Sequence, residues 1–212
     1  MNGIIQFLSA IFSLALFLGV GFSAAAQVTT ENPLFGQPSI GNANIVVKTV
    51  TGTMDSSAIQ LQLQDDIYHN ELIETFEESA TELAFLDETT INLGPNSSIV
   101  LDEFVYDPDP SNSSFILTVT QGALRFTSGV LPSEAYKINT PVATIGVRGT
   151  IVEVLVDEEL QSDGSRLTRV SLTVVDGEAD LIGCDGRLTS VSSGQSTSLL
   201  SSAERCYETA TY

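Results

Sequence analysis

The chain has 212 residues and a formal net charge of −19, from 27 acidic and 8 basic side chains. Such a field repels nucleic acid and anionic lipid, which excludes both as ligands. The length fits one domain or two small ones and can bury a sizeable core without a dense disulfide framework.

Residues 4–22 are almost wholly apolar and uncharged, and the small residues Ser23, Ala24, Ala25 and Ala26 follow. An apolar run closed by Ala24-x-Ala26 predicts a signal peptide over residues 1–26, cleaved after Ala26. The rival is an uncleaved anchor, because the run is nearly long enough to span a bilayer and Met1–Gly3 lacks Lys and Arg. Cleavage would make the mature chain periplasmic or secreted, with no stable membrane insertion afterwards. No cysteine lies near the site to accept a lipid anchor.

Residues 27–44 carry Pro33 and Pro38 among polar residues and are expected to form a flexible leader. A β domain is expected over residues 45–200, with a tail over 201–212. From Ile45 onward the dominant period is two. Ile59, Leu61 and Leu63 alternate with glutamines, as a half-buried strand requires. Residues 71–86 are the only helix candidate. However, Glu74, Glu78 and Glu82 would repel at i,i+4, and Thr81, Leu83 and Phe85 alternate, so strands around a turn are predicted. Thr89, Ile91 and Leu93 form the next strand, closed by the turn residues Gly94-Pro-Asn-Ser97. Ile99, Leu101 and Val105 follow, then a Pro- and Asx-rich loop over 107–113. Further strands run through Phe115, Leu117 and Val119, through Val152, Val154 and Val156, and through Val170, Leu172 and Val174. The expected class is all-β.

Val119-x-x-Gly122, Val174-x-x-Gly177 and Val191-x-x-Gly194 repeat a strand followed by a glycine. Glycine suits a corner because it tolerates positive φ and close backbone approach. Short strands turning at such corners fit a twisted β-solenoid-like stack, with a β-sandwich as the alternative.

The catalytic inventory is thin. His69 is the sole histidine, beside acidic residues, and no zinc set can be assembled around it. No G-x-S-x-G elbow is present, and Gly146-x-x-Gly149 has no downstream lysine to hold phosphate. The chain is expected to be no enzyme and to carry no cofactor; its catalytic, cofactor and metal sites are all expected to be empty sets. No basic residue falls between Lys48 and Arg125, while Asp65 through Asp109 supply thirteen carboxylates. This run is expected to form an acidic face. Within it Asp102, Glu103, Asp107 and Asp109 offer oxygen ligands for calcium, although without EF-hand spacing. Cys184 and Cys206 are an even pair in an exported chain and are expected to form a disulfide that ties the tail to the domain.

The most distinctive string is Thr140-Pro-Val-Ala-Thr-Ile-Gly-Val-Arg-Gly-Thr150. Val142, Ile145 and Val147 supply packing, Gly146 and Gly149 are expected to bend the backbone around Arg148, and Arg148 can present its fork to a carboxylate. This string resembles the signature of the FecR domain family. Leu86–Leu101 is similar to the family's D-G-S-x-L-x-L-x-P-x-S segment, with Glu88 where glycine is usual. Val119–Phe126 resembles its L-x-x-G-x-x-x-F corner, and VVDGEADL and SSGQSTSL resemble its closing elements. The resemblance implies an extracytoplasmic β module that senses a cell-envelope protein, here in an exported, stand-alone version. The expected function is therefore recognition of a cell-envelope protein of unknown identity. The alternative is a carbohydrate-active or other enzyme on a β-solenoid scaffold. The absence of Trp and the low aromatic content weigh against a sugar groove.

Overall fold

The computed structural model describes residues 37–107, 109–202 and 205–209, so the predicted signal peptide and residues 27–36 lie outside the described residues. The described chain is mostly strand: β1 Gly41–Val47, β2 Val50–Met54, β3 Ser57–Gln60, β4 Asp66–Ile67, β5 Leu72–Thr75, β6 Ala80–Phe85, β7 Thr90–Leu93, β8 Ser98–Val105, β9 Ser114–Thr127, β10 Tyr136–Asn139, β11 Ala143–Leu160, β12 Arg166–Gly183, β13 Leu188–Ser192, β14 Ser196–Ser202 and β15 Arg205–Thr209. Two single 3-10 turns, Pro110–Asn112 and Ser133–Ala135, interrupt them. The all-β expectation is what forms. Residues 71–86 are strands around a turn, as their period predicts: β6 buries Thr81, Leu83 and Phe85 and turns Ala80, Glu82 and Ala84 outward. Among the described residues no helix is long and apolar enough to cross a membrane.

All fifteen strands join one open hydrogen-bonded network. Pairing divides it into two facing layers. The first runs β4-β1-β6-β7, then the second half of β9, the second half of β11, the first half of β12, β14 and β15. The second runs β3-β2-β5-β8, then the first half of β9, β10, the first half of β11, the second half of β12 and β13. Pairing is antiparallel except between β9 and β10.

Three strands are longer than the short rungs expected: β9 has 14 residues, and β11 and β12 have 18 each. Each is two short strands joined at a glycine; β9 changes both neighbours there, whereas β11 and β12 stay paired with each other throughout and change only the neighbour on the other side. β9 turns at Gly122 and β12 at Gly177, with φ of +90° and +84°. Both glycines also lie against a neighbouring corner. A Cβ on Gly122 would sit 2.4 Å from the Ser97 Cα, and one on Gly177 would sit 2.7 Å from the Gly149 carbonyl oxygen. Corners therefore stack on corners, and only glycine satisfies both the dihedral and the space.

The core lies between the layers. Phe115 of β9 meets Phe85, Phe104, Phe126 and Tyr136 at centroid distances of 4.8, 5.7, 5.6 and 5.8 Å, the first three edge-on. Such edge-to-face contacts favour the ring quadrupoles and add about 0.5–1.5 kcal/mol per pair to the area buried.

The domain begins earlier than residue 45. β1 starts at Gly41, and Ile40 and Ala43 are buried. The polar string Gly-Asn-Ala-Asn hid this strand. Asn42 and Asn44 face outward and donate to Gln64 and Glu82 at 3.1 and 2.7 Å, so their polarity belongs to an exposed sheet face and not to a leader.

Candidate recognition surface

The Thr140–Thr150 string forms the first half of β11 and its corner. Thr140 Oγ1 accepts from the Ala143 amide at 2.9 Å, closing the turn that Pro141 opens. Val142, Ile145 and Val147 are buried, as expected. Arg148 projects outward and pairs with Asp180, whose second oxygen accepts from Ser190 Oγ at 2.6 Å. The expected bend is found at one glycine only. Gly149 has φ of +56°, whereas Gly146 is extended within the ladder, opposite Lys137 and Asp180. Strand pairing on both sides fixes Gly146, which corrects the expectation of a bend there. Thr150 then caps the next corner, its hydroxyl donating to the Asp176 carbonyl.

Two carboxylates of the acidic run lie in the core. Asp87 is fully buried and accepts from the Thr89 amide at 3.1 Å, Thr89 Oγ1 at 2.6 Å and Tyr136 Oη at 2.9 Å. Tyr136 Oη in turn accepts from the Leu131 amide at 2.9 Å. Burial, with the Asp87 carboxylate beside it, pushes the Tyr136 phenol up to about 12, so it stays a donor at any physiological pH. This network fastens the β6–β7 turn to residues 128–136. Glu88, the residue that stands where the family pattern has glycine, adopts φ of +68° in that turn. The turn keeps its glycine-type geometry with a side chain in place.

Glu71 is the second. It has no exposed surface. Its Oε2 accepts from the Tyr68 amide at 2.8 Å, and its Oε1 has no hydrogen-bond partner among the described residues. A Cβ on Gly52 would lie 1.9 Å from that oxygen, so the glycine of β2 makes the room for the carboxyl. Burial pushes the Glu71 carboxyl up from 4.5 to about 7; the Tyr68 hydrogen bond opposes this and Asp65 adds to it. Sequence reasoning counted Glu71 and Asp87 among surface acids. The period of two held a signal for Glu71, which shares the parity of buried Ile73 and Thr75.

The other acids do not make one face. Glu74 points outward from β5 in the second layer and Glu82 from β6 in the first, while Glu77 and Glu78 sit in the turn between these strands. Glu78 pairs with Lys48. In the calcium candidate, Asp102 accepts from Thr118 Oγ1 at 2.7 Å, Asp107 from the Asp109 amide at 2.7 Å, and Asp109 from the Ser111 amide and hydroxyl at 3.1 and 2.8 Å. Those Ser111 bonds lower the Asp109 carboxyl below its usual range. No three metal-binding side chains converge among the described residues. His69 contacts the neighbouring Asn70 at 3.0 Å.

Two concavities mark the outer surface. One of about 500 Å³ crosses the outer face of the first layer, lined by Gly94, Ala123, Arg125, Glu153, Leu155 and Ser171, among others. The small residues Gly94 past β7, Ala123 on β9 and Ser171 and Thr173 on β12 leave the hollow, and Arg125 and Glu153 pair across it at 3.4 Å. Leu155 stands 41% exposed within it. Beyond Leu155 a second cleft of about 540 Å³ opens at the β9 corner, lined among others by Asn96, Gln121, Gly122, Pro141, Glu158 and Thr168.

The predicted Cys184–Cys206 bridge depends on the Cys206 side chain, which lies outside the described residues. The backbone sets Cys206 opposite Ser201 in the β14–β15 ladder, and Cys184 Sγ lies 4.0 Å from Ser201 Oγ.

A family model described as "FecR protein" matches residues 71–180. No curated protein matches the chain. Among solved structures, two crystal structures of "a putative anti-sigma factor" from Parabacteroides distasonis ATCC 8503, at 2.50 and 1.65 Å resolution, are similar. They share 14% and 12% identity with this chain, each with a TM-score of 0.47. Each match covers 65% of this chain and 58% of that one, so the chain spans less than two thirds of the length of this relative.

Proposed function

The chain belongs to the FecR protein family, and from that premise we propose that it is an exported module that senses or regulates by binding a cell-envelope protein. The observation that carries this reading is the extent of the family match. Residues 71–180 span β5 to most of β12, which include the stacked corners, the aromatic core and most of the residues lining both concavities. Recognition at such a surface needs no cofactor and no turnover. The alternative of a carbohydrate-active enzyme has no specific support, since neither concavity is lined by an aromatic ring.

In this reading the signal peptide is removed after Ala26 and the mature protein acts in the periplasm or outside the cell. Two measurements test it. N-terminal sequencing of the exported protein should begin at Gln27; recovery of the full-length chain in the membrane would overturn the export reading. The purified mature protein, immobilised and exposed to an envelope extract, should retain a discrete partner at low salt. Failure to retain any protein, together with turnover of an envelope glycan by the purified chain, would replace recognition with catalysis.

A further inference from the structure

We propose that the free edge of β11 at Asp157–Leu160, with the cleft beside it, takes up an extended basic segment of a partner protein by strand addition. The inference rests on the recognition reading above and gives it a site. β11 is paired along one side by β12 as far as Leu160 opposite Arg166. Along its other side β9 pairs only as far as Gly122 opposite Val156, because β9 turns away at that glycine. Among the described residues, Asp157–Leu160 therefore have a strand neighbour on one side only. In an antiparallel ladder a strand's amides and carbonyls alternate between its two sides, so part of this stretch's backbone faces the cleft unpaired. An incoming strand would lie where β9 has left the sheet, a known mode of peptide capture.

Charge and shape specify the occupant. Asp157 Oδ1 is shielded from solvent and has no hydrogen-bond partner among the described residues, and the other oxygen is 3.8 Å from Arg169. A shielded carboxylate oxygen without a donor is costly, and an incoming ammonium or guanidinium would satisfy it. Residues 153–169 carry five carboxylates against two arginines, which biases encounter toward a basic segment. Two residues before Asp157 on the same face, exposed Leu155 borders both concavities. Ala123 of β9 already lies opposite Leu155, so an incoming strand reaches Leu155 diagonally. Same-face side chains on an extended chain repeat at roughly 7 Å, so a segment alternating an aliphatic residue with a basic one can set the basic residue against Asp157 and the aliphatic one toward Leu155.

The test uses the mature protein, isotope-labelled, and a synthetic peptide repeating Val-Thr-Lys-Thr, with a Val-Thr-Glu-Thr control. Binding of the lysine peptide should shift the amides of Asp157–Leu160 and of the Gln121–Gly122 corner. It should weaken at least tenfold in Asp157→Lys and in Glu158→Lys, and stay unchanged in Glu134→Lys, which lies exposed in the Ser133–Ala135 turn beside the opposite, Gly149 corner. If either variant fails to fold, the amide map of the unaltered protein decides. No binding, shifts confined to other strands, or equal binding of the glutamate peptide would overturn the site. Capture of an envelope protein unaffected by Asp157→Lys would also overturn the site while leaving recognition standing; the absence of any captured partner would instead overturn recognition itself.

Discussion

Glu71 makes folding stability depend on pH in a direction opposite to most carboxylates. Its folded-state value of about 7 lies above its ordinary 4.5, so between those values the folded chain binds more protons than the unfolded one. Stability is then full below pH 4.5 and is lost as pH rises through about 7. At about 1.36 kcal/mol per pH unit, ionising this carboxyl removes about 3 kcal/mol. Glu71→Gln is the isosteric probe. The amide oxygen can still accept from the Tyr68 amide, while the amide nitrogen occupies the place of Oε1 with a donor that does not titrate. The protonated acid also leaves a donor unpartnered at that place, so the variant should match the unaltered protein at or below about pH 4.5 and exceed it by up to about 3 kcal/mol near pH 8. Urea denaturation followed by circular dichroism at half-unit pH steps measures both curves. The difference between them isolates Glu71 from the general self-repulsion of a chain with net charge −19. Parallel curves across this range would refute the assignment of a buried, proton-holding Glu71.

Three further outcomes are expected. Glu88→Gly should stabilise the fold by roughly 1 kcal/mol, because an exposed side chain is released from a left-handed conformation; a lower melting temperature would contradict this. Gly149→Val should destabilise by more than about 1 kcal/mol through backbone strain at φ of +56°, whereas Gly146→Ala, in extended backbone with only ordinary contacts near its Cβ, should cost less; equal melting shifts would show that the dihedral is not what matters. Non-reducing peptide mapping should find Cys184 joined to Cys206, and reduction of that loop of about 22 residues should lower stability by roughly 3 kcal/mol; two free thiols would refute the bridge.

Much of the fold was legible because a half-buried strand writes its period directly into the chain. The alternation of Thr81, Leu83 and Phe85 against Glu82 and Ala84 outweighed the helix-forming composition of residues 71–86, and β5 and β6 resulted. The Val-x-x-Gly echo located three corners, Gly122, Gly177 and Gly194, all with positive φ. Where polarity had two physical sources, the sequence misled. Asn42 and Asn44 looked like leader but cover an exposed sheet face.

The chain by itself determined what depends on local pattern: the strand class, the glycine corners, the apolar faces of β11 and the family signature around Arg148. Only the tertiary structure decided what depends on which strands become neighbours. Strand parity separates Glu71 from Glu74, yet only the opposing Gly52 of β2 gives the Glu71 carboxyl its buried place. Asp87 and Tyr136 meet across 49 residues of separation at 2.9 Å, and no local pattern pairs them. Among the described residues, the edge at Asp157 is likewise left open because β9 turns away at Gly122, a partner 34 residues distant from Val156 in the chain. Long-range pairing brings these groups together, and it is set by the packing of the whole domain.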